Sequence, residues 1–161
     1  MEAYISPDDL RYSARARGLI HIGRDAIAQS DDAALDRYFS HDYVLHSPGG
    51  DVDLTGLKAF FAMMRSAFSD FACERVALVE QGDVIAARTV MTGVFTGPLH
   101  GTAAGDIRPN GKPMRRELLN LFRYDANGRL AEEWIQSDDL SFLKQLGVEM
   151  TVSSDHHAIQ A

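Results

Sequence analysis

The segment Glu132-Glu133-Trp134-Ile135-Gln136-Ser137-Asp138 brings carboxylates, an amide and an indole together on what reads as a single β-strand. Alternate strand residues share a face, which groups Glu132, Trp134, Gln136 and Asp138. The run leads directly into Leu140-Ser141-Phe142-Leu143-Lys144-Gln145-Leu146-Gly147, a short helix ended by glycine. A carboxylate at the end of a strand, beside a tryptophan and ahead of an apolar helix, can sit inside a cavity. In water its pKa lies near ~4, too low to take a carbon-bound proton readily; burial beside Trp134 raises it toward the working pH. Asp138 is thus expected to be a general acid or base on an organic ligand. The competing expectation is a helix cap, because Asp138 stands immediately before Asp139-Leu140-Ser141. The two roles are compatible.

Other residues offer supporting chemistry. His46 ends a strand-like run before Ser47-Pro48, and can carry a second proton or serve as a structural hydrogen-bonder. Arg88 interrupts the apolar stretch around Ala86, Ala87 and Val90. A buried arginine requires a partner, so it either pairs internally with Glu132 or Glu117 or faces a carbonyl or enolate oxygen. Trp134 and Gln136 share the face assigned to Asp138, and Trp134 can stack on an aromatic ligand or pack in the core. Asn120 breaks the run Leu118-Leu119-Asn120-Leu121-Phe122; a buried amide must be hydrogen-bonded, either to a ligand or within the sheet. His100 sits in a Gly/Pro-rich loop, as a pocket gate or as a mobile surface residue. Leu57, Phe60, Phe61, Met64 and Phe68 form a helical apolar stripe for core packing, with one or two of Phe60, Met63 and Met64 lining a pocket. His156-His157 looks like a metal handle, but two adjacent histidines on a loose end rarely make a site, and His41 with His46 lacks a third ligand nearby. No metal is expected.

The elements that must hold these groups are legible in outline. Ser6-Pro7-Asp8-Asp9 reads as a helix start, with the helix running to about Gln29 and weakened at Gly18 and Gly23. Ser30-Asp31-Asp32 restarts a shorter helix, Asp42–His46 is strand-like, and Thr55 is expected to cap a third helix. Four strands follow: Phe71–Val79, Val84–Phe95, Met114–Tyr124 and Arg129–Ser137, with turns at Gln81-Gly82-Asp83 and Asp125-Ala126-Asn127-Gly128 and a loop over Gly97–Pro113. Helices followed by a meander of long antiparallel strands predict an α+β fold, with helices on one face of a curved sheet. A single domain is expected over residues 1–161, with about residues 1–14 as an extension and about 148–161 as a loose tail.

Bulk composition narrows the function classes. With 16 Lys and Arg against 23 Asp and Glu, the formal charge is −7, which argues against nucleic acid as the main partner. The single cysteine, Cys73, has no intramolecular disulfide partner. The N-terminus lacks the basic start and apolar run of a signal peptide, and no apolar stretch is long enough to span a bilayer. A cytoplasmic protein is expected.

The run Asp42–Pro48, Gly56–Phe61 and Ala67–Asp70 resembles SnoaL-like polyketide cyclases. So do Gly82-Asp83-Val84 with Arg88, Pro109–Lys112, Phe122–Asp125, Glu132–Asp138 and Phe142–Gly147, and the likeness extends over about residues 15–147. It implies a nuclear transport factor 2-like fold, a cone of curved sheet closed by helices around a deep apolar pocket, with homodimers formed through the sheet. It further implies intramolecular aldol condensation without metal or cofactor, the acid/base aspartate falling on Asp138, and a small hydrophobic or aromatic substrate. Two departures touch the pocket rim. Phe95 stands where the family often has histidine, and the loop Pro98–Arg108 is longer and brings in His100 and Asp106. Cyclisation is therefore the first expectation. A retro-aldol lyase, for example a formaldehyde-releasing one, or a dehydratase or isomerase on lignin-derived aromatics is the variant. A non-catalytic ligand-binding module is the rival from another class, and a homodimeric scaffold with a filled core is a third.

Overall fold

The computed structural model describes residues 4–151. In chain order the elements are α1 (Ala14–His21), a π-helical turn (Ile22–Ile27), α2 (Asp32–Tyr38), β1 (Phe39–Ser47), β2 (Gly50–Val52), α3 (Leu54–Ala67), β3 (Phe68–Gln81), β4 (Val84–Phe95), β5 (Leu99–Thr102), β6 (Gly105–Ile107), β7 (Pro113–Tyr124), β8 (Leu130–Ser137) and α4 (Asp139–Gln145). Six strands make one sheet in the order β2-β1-β8-β7-β4-β3, while β5 and β6 form a separate hairpin. β1 runs parallel to β8, and the other pairs in the sheet are antiparallel. The fold is α+β, with helices lying in the hollow of a curved, mainly antiparallel sheet.

Period-2 alternation sorts every long strand into two faces. Ile85, Ala87, Thr89 and Met91 of β4 point inward beside Leu118, Asn120 and Phe122 of β7, and the register carries this face on to Glu133 and Ile135 of β8 and Leu45 of β1. Leu19, Ile22, Ile27, Leu57, Phe61 and Met64 fill the hollow from the helices. Shifts in the β3–β4 register at Ser69/Ala72 and Arg75/Ala77 bend the sheet around them. Gly93 permits that bend: a Cβ there would lie 2.8 Å from the Phe68 Cβ.

Several boundaries differ from the expected ones. Ser6 accepts from Asp8 N and closes only a turn; the first helix starts at Ala14, capped by Ser13, whose Oγ accepts from Ala16 N. Ile5, buried and donating its N–H to the Arg75 carbonyl, ties the preceding segment along β3 and so keeps it out of the helix. The weakness expected at Gly23 is a π-turn rather than a break. Gly23 packs so close to β3 that a Cβ would stand 2.9 Å from the Cys73 carbonyl oxygen. Asp53, not Thr55, caps α3, accepting from Gly56 N at 2.8 Å. The expected loop over 97–113 contains the β5–β6 hairpin, pinned by buried Leu99 and Ile107. Those strands are too short to show a period in sequence. His156 and His157 lie outside the described residues. Among the described residues no helix is long and apolar enough to cross a membrane.

Candidate active site

Strand β8 presents its two faces to different surroundings. Glu132, Trp134 and Gln136 point away from the helices, as does Asp138 beyond them. Asp138 is exposed and caps α4, with Oδ1 accepting from Ser141 N at 2.9 Å and Oδ2 from the Ser141 hydroxyl at 2.6 Å. Those hydrogen bonds hold its carboxyl below the usual carboxylate range. The expected hidden, high-pKa aspartate is therefore corrected: this side chain is wet, already ionised, and occupied with the helix end.

His46 and Arg88 share that outer face. His46 pairs with Asp51 at 2.9 Å and Glu132 at 3.3 Å and stacks on Trp134 at 5.0 Å between ring centroids. Asp51 first, then Glu132, push its pKa up. Arg88 is 39% exposed and bonds Glu117 at 2.9 Å, the ion-pair alternative of the sequence reading. Trp134 is 38% exposed. Gln136 is exposed as well. Asp138, His46, Arg88, Trp134 and Gln136 thus do not converge on the interior. Met64 is buried in the core at 1% exposure. His100 is exposed on the β5–β6 hairpin and pairs with Asp106 at 2.8 Å. Of the pocket candidates, Phe60 lines the interior cavity, and Asn120 lies buried on the inner face.

Glu133 is what the interior contains. One side-chain chain crosses β3, β4, β7, β8 and β1. Arg75 Nη1 donates to Thr89 Oγ1; Thr89 donates to Asn120 Oδ1 at 2.7 Å; Asn120 Nδ2 donates to Glu133 Oε1 at 2.7 Å; and the Tyr43 hydroxyl donates to Glu133 Oε2 at 2.7 Å. Burial pushes the Glu133 carboxyl up, against the Tyr43 hydrogen bond, the Arg75 charge and the Asn120 hydrogen bond. Burial likewise raises the Tyr43 phenol, which stays protonated and donates. Glu133 lies in the wall of two hollows. The larger, about 460 Å³, is bounded by Leu45, Val52, Phe60, Phe61 and Ile135 with Arg116, Ser137 and Asp139 also in its wall. The smaller, about 20 Å³, lies between Glu133 and Arg75.

Glu133 sits one residue from the face chosen in the sequence reading, flanked on its own face by Ala131 and Ile135. A carboxylate between two apolar neighbours of the same parity is the signal that could have found it. Arg75, on the face of Phe71 and Cys73, carries the same signal in β3.

A curved sheet wrapped on helices, with a buried carboxyl in the wall of an apolar cavity, defines a pocket protein of the ketosteroid isomerase-like, or nuclear transport factor 2-like, class. The family model of SnoaL-like polyketide cyclases matches residues 21–146, and the chain belongs to that family. IdmH, a candidate polyketide cyclase from Streptomyces antibioticus, is 25% identical, with 84% of this chain and 100% of that one covered at a TM-score of 0.70. TsrD from Streptomyces laurentii is 25% identical over 84% of this chain and 97% of its own, at a TM-score of 0.71. A protein of ketosteroid isomerase-like fold from Catenulispora acidiphila is 14% identical over 90% of this chain and 96% of its own, at a TM-score of 0.62, a likeness of fold. No curated protein matches the chain.

Proposed function

We propose that the protein is an acid/base enzyme closing a ring in a small aromatic or polyketide-like carbonyl compound by aldol chemistry, with Glu133 as the proton carrier. The observation that carries this is a buried carboxyl, its proton affinity raised, in the wall of a cavity of about 460 Å³ lined by Leu45, Val52, Phe60, Phe61 and Ile135 together with a few polar groups. That size falls in the range of pockets that enclose small organic ligands. In the reaction, ionised Glu133 takes a proton from carbon next to a carbonyl. The resulting enolate carbon bonds to a second carbonyl carbon of the same molecule, and the alkoxide formed there regains the proton from Glu133. Atoms and charge balance with no other reactant. Tyr43 and Asn120 hold one carboxyl oxygen each, fixing the group for transfer.

The same proposal includes a homodimer formed through the outer face of the sheet. Val79, Leu119, Leu121 and Trp134 stand exposed there as neighbours across β3, β4, β7 and β8, a contiguous apolar surface of the kind proteins cover.

The test uses aromatic poly-β-ketone substrates and follows a product isomeric with the substrate, or lighter by one water. Wild type and Asp138→Asn are expected to turn over alike, and Glu133→Gln to lose at least about 100-fold. A Glu133→Gln protein as fast as wild type ends the proposal. Ligand binding without turnover across the panel, in a folded wild type, favours the binding-module reading instead.

A further inference from the structure

Arg116 is left over by that chemistry. It lies on the inner face of β7, its side chain 14% exposed, in the wall of the same cavity as Glu133. Its guanidinium rests over the Phe142 ring at 4.9 Å, which fixes the plane of the group. Among the described residues a single nitrogen makes its polar contacts: Nη2 donates to Ser137 Oγ at 3.1 Å and to Asp139 Oδ1 at 2.6 Å. Nε is buried and meets no acceptor, and among the described residues no hydrogen bond engages Nη1. A guanidinium carries five N–H donors in a planar fork matched to two oxygens of a carboxylate. Here most of the fork is unspent, although the cation is largely withdrawn from water.

The compensating charge is poorly placed. Asp139 is 55% exposed, so solvent screens the anion more than the cation it faces. Its Oδ1 is also shared with the Ser137 hydroxyl at 2.6 Å. A half-buried cation with an incompletely used fork and a wetter partner is suited to a second anion arriving from the cavity side. Leu45, Val52, Phe60, Phe61 and Ile135 in the same wall suit a flat apolar body.

We infer that Arg116 is a substrate-recognition residue for a carboxylate, and that the cavity takes aromatic compounds bearing a free carboxylate in preference to their esters or amides. Asp139 acts as an internal competitor, holding Arg116 until a ligand carboxylate replaces or joins it. The inference rests on the reading that substrate occupies this cavity, and it is independent of which group moves the proton.

The experiment is calorimetric titration of the intact chain with three probes of one shape: 2-naphthoate, methyl 2-naphthoate and 2-naphthamide. Wild type binds the acid tighter than the ester and amide by roughly 10- to 100-fold, the range of one charge-assisted pair. Arg116→Gln removes that preference while the ester binds as before, and Arg116→Lys keeps part of it. Asp139→Asn, which retains the Asp138 cap, tightens the acid without changing the ester, an outcome a purely structural Arg116–Asp139 bridge would not give. Equal binding of acid and ester by wild type, or an acid preference that survives Arg116→Gln, overturns the assignment. Should Arg116→Gln fail to fold, Asp139→Asn decides, and an unchanged acid affinity there counts against the inference. If none of the three probes binds, the cavity reading falls with it. Loss of turnover in Glu133→Gln with the acid preference intact separates the two proposals.

Discussion

At the scale of single residues, Glu133 combines two opposing influences. Withdrawal from water favours its neutral form, while Tyr43, Asn120 and the more distant Arg75 favour the charged one, and burial dominates. The pH consequence has a definite sign. An unfolded glutamate titrates near ~4.3. Because the native value is higher, native protein keeps a proton that unfolded chain has released, and this group's contribution to stability falls as pH rises between the two values, then levels off. Glu133→Gln removes that decline. In denaturant titrations from pH 4 to 8, the variant should gain on wild type as pH rises; a constant difference would show that Glu133 titrates normally. The acid limb of the kcat/KM profile should likewise lie above the ordinary glutamate range.

Arg75 is the distal support of the same chain of hydrogen bonds. Its guanidinium lies 5.0 Å from the Phe122 ring and is linked to Glu133 by hydrogen bonds through Thr89 and Asn120. Arg75→Met removes the charge and one donor to Thr89. The expected loss is about 1–3 kcal/mol of stability, together with a move of the kcat/KM acid limb to higher pH. A variant that is less stable yet keeps the wild-type pH profile would make Arg75 purely structural.

At the scale of elements, the helix ends and the π-turn control how the cavity walls sit. Asp138 holds the start of α4, the helix whose Phe142 supports Arg116. Asp138→Ala should cost about 1 kcal/mol, whereas Asp138→Asn, which still caps, should cost little. Thermal melts of the two variants separate a capping role from a charge role. The π-turn needs Gly23 because β3 passes directly beneath it. Gly23→Ala must push the turn off the Cys73 carbonyl and should destabilise by about 1–3 kcal/mol, the usual range for overpacking. A melt within a degree of wild type would show that the turn can shift freely.

At the scale of the whole molecule, the two faces of the sheet differ in character. Its inner face carries the polar chain and the cavity; its outer face carries ion pairs and the apolar patch centred on Leu119, 65% exposed, and Val79, 72% exposed. A charge placed in that patch should prevent it from being covered. Leu119→Glu is expected to be monomeric by sedimentation at concentrations where wild type is dimeric, with the cavity chemistry retained. A wild type that sediments as a monomer at every concentration would remove the dimer from the proposal.

The sequence by itself determined the α+β class, the long strands and the position of α4, because hydrophobic period, turn glycines and capping residues act over a few neighbouring residues. Val84–Phe95 has the same limits in sequence and structure, and the turn at Gln81-Gly82-Asp83 falls where its residues put it. It also singled out the strand Glu132–Asp138, on which the buried carboxyl Glu133 lies. Which face of that strand looks inward was decided only by tertiary structure. Alternation yields two sets of residues but not their direction, and a single tryptophan on the even positions outweighed Ala131 and Ile135 on the odd ones. Direction comes from register: Phe122, buried in β7, pairs with Glu133, and exposed Leu121 pairs with Trp134. Those pairings join residues a dozen positions apart, and the reach of Arg75 to Glu133 crosses nearly sixty, distances that no local pattern encodes.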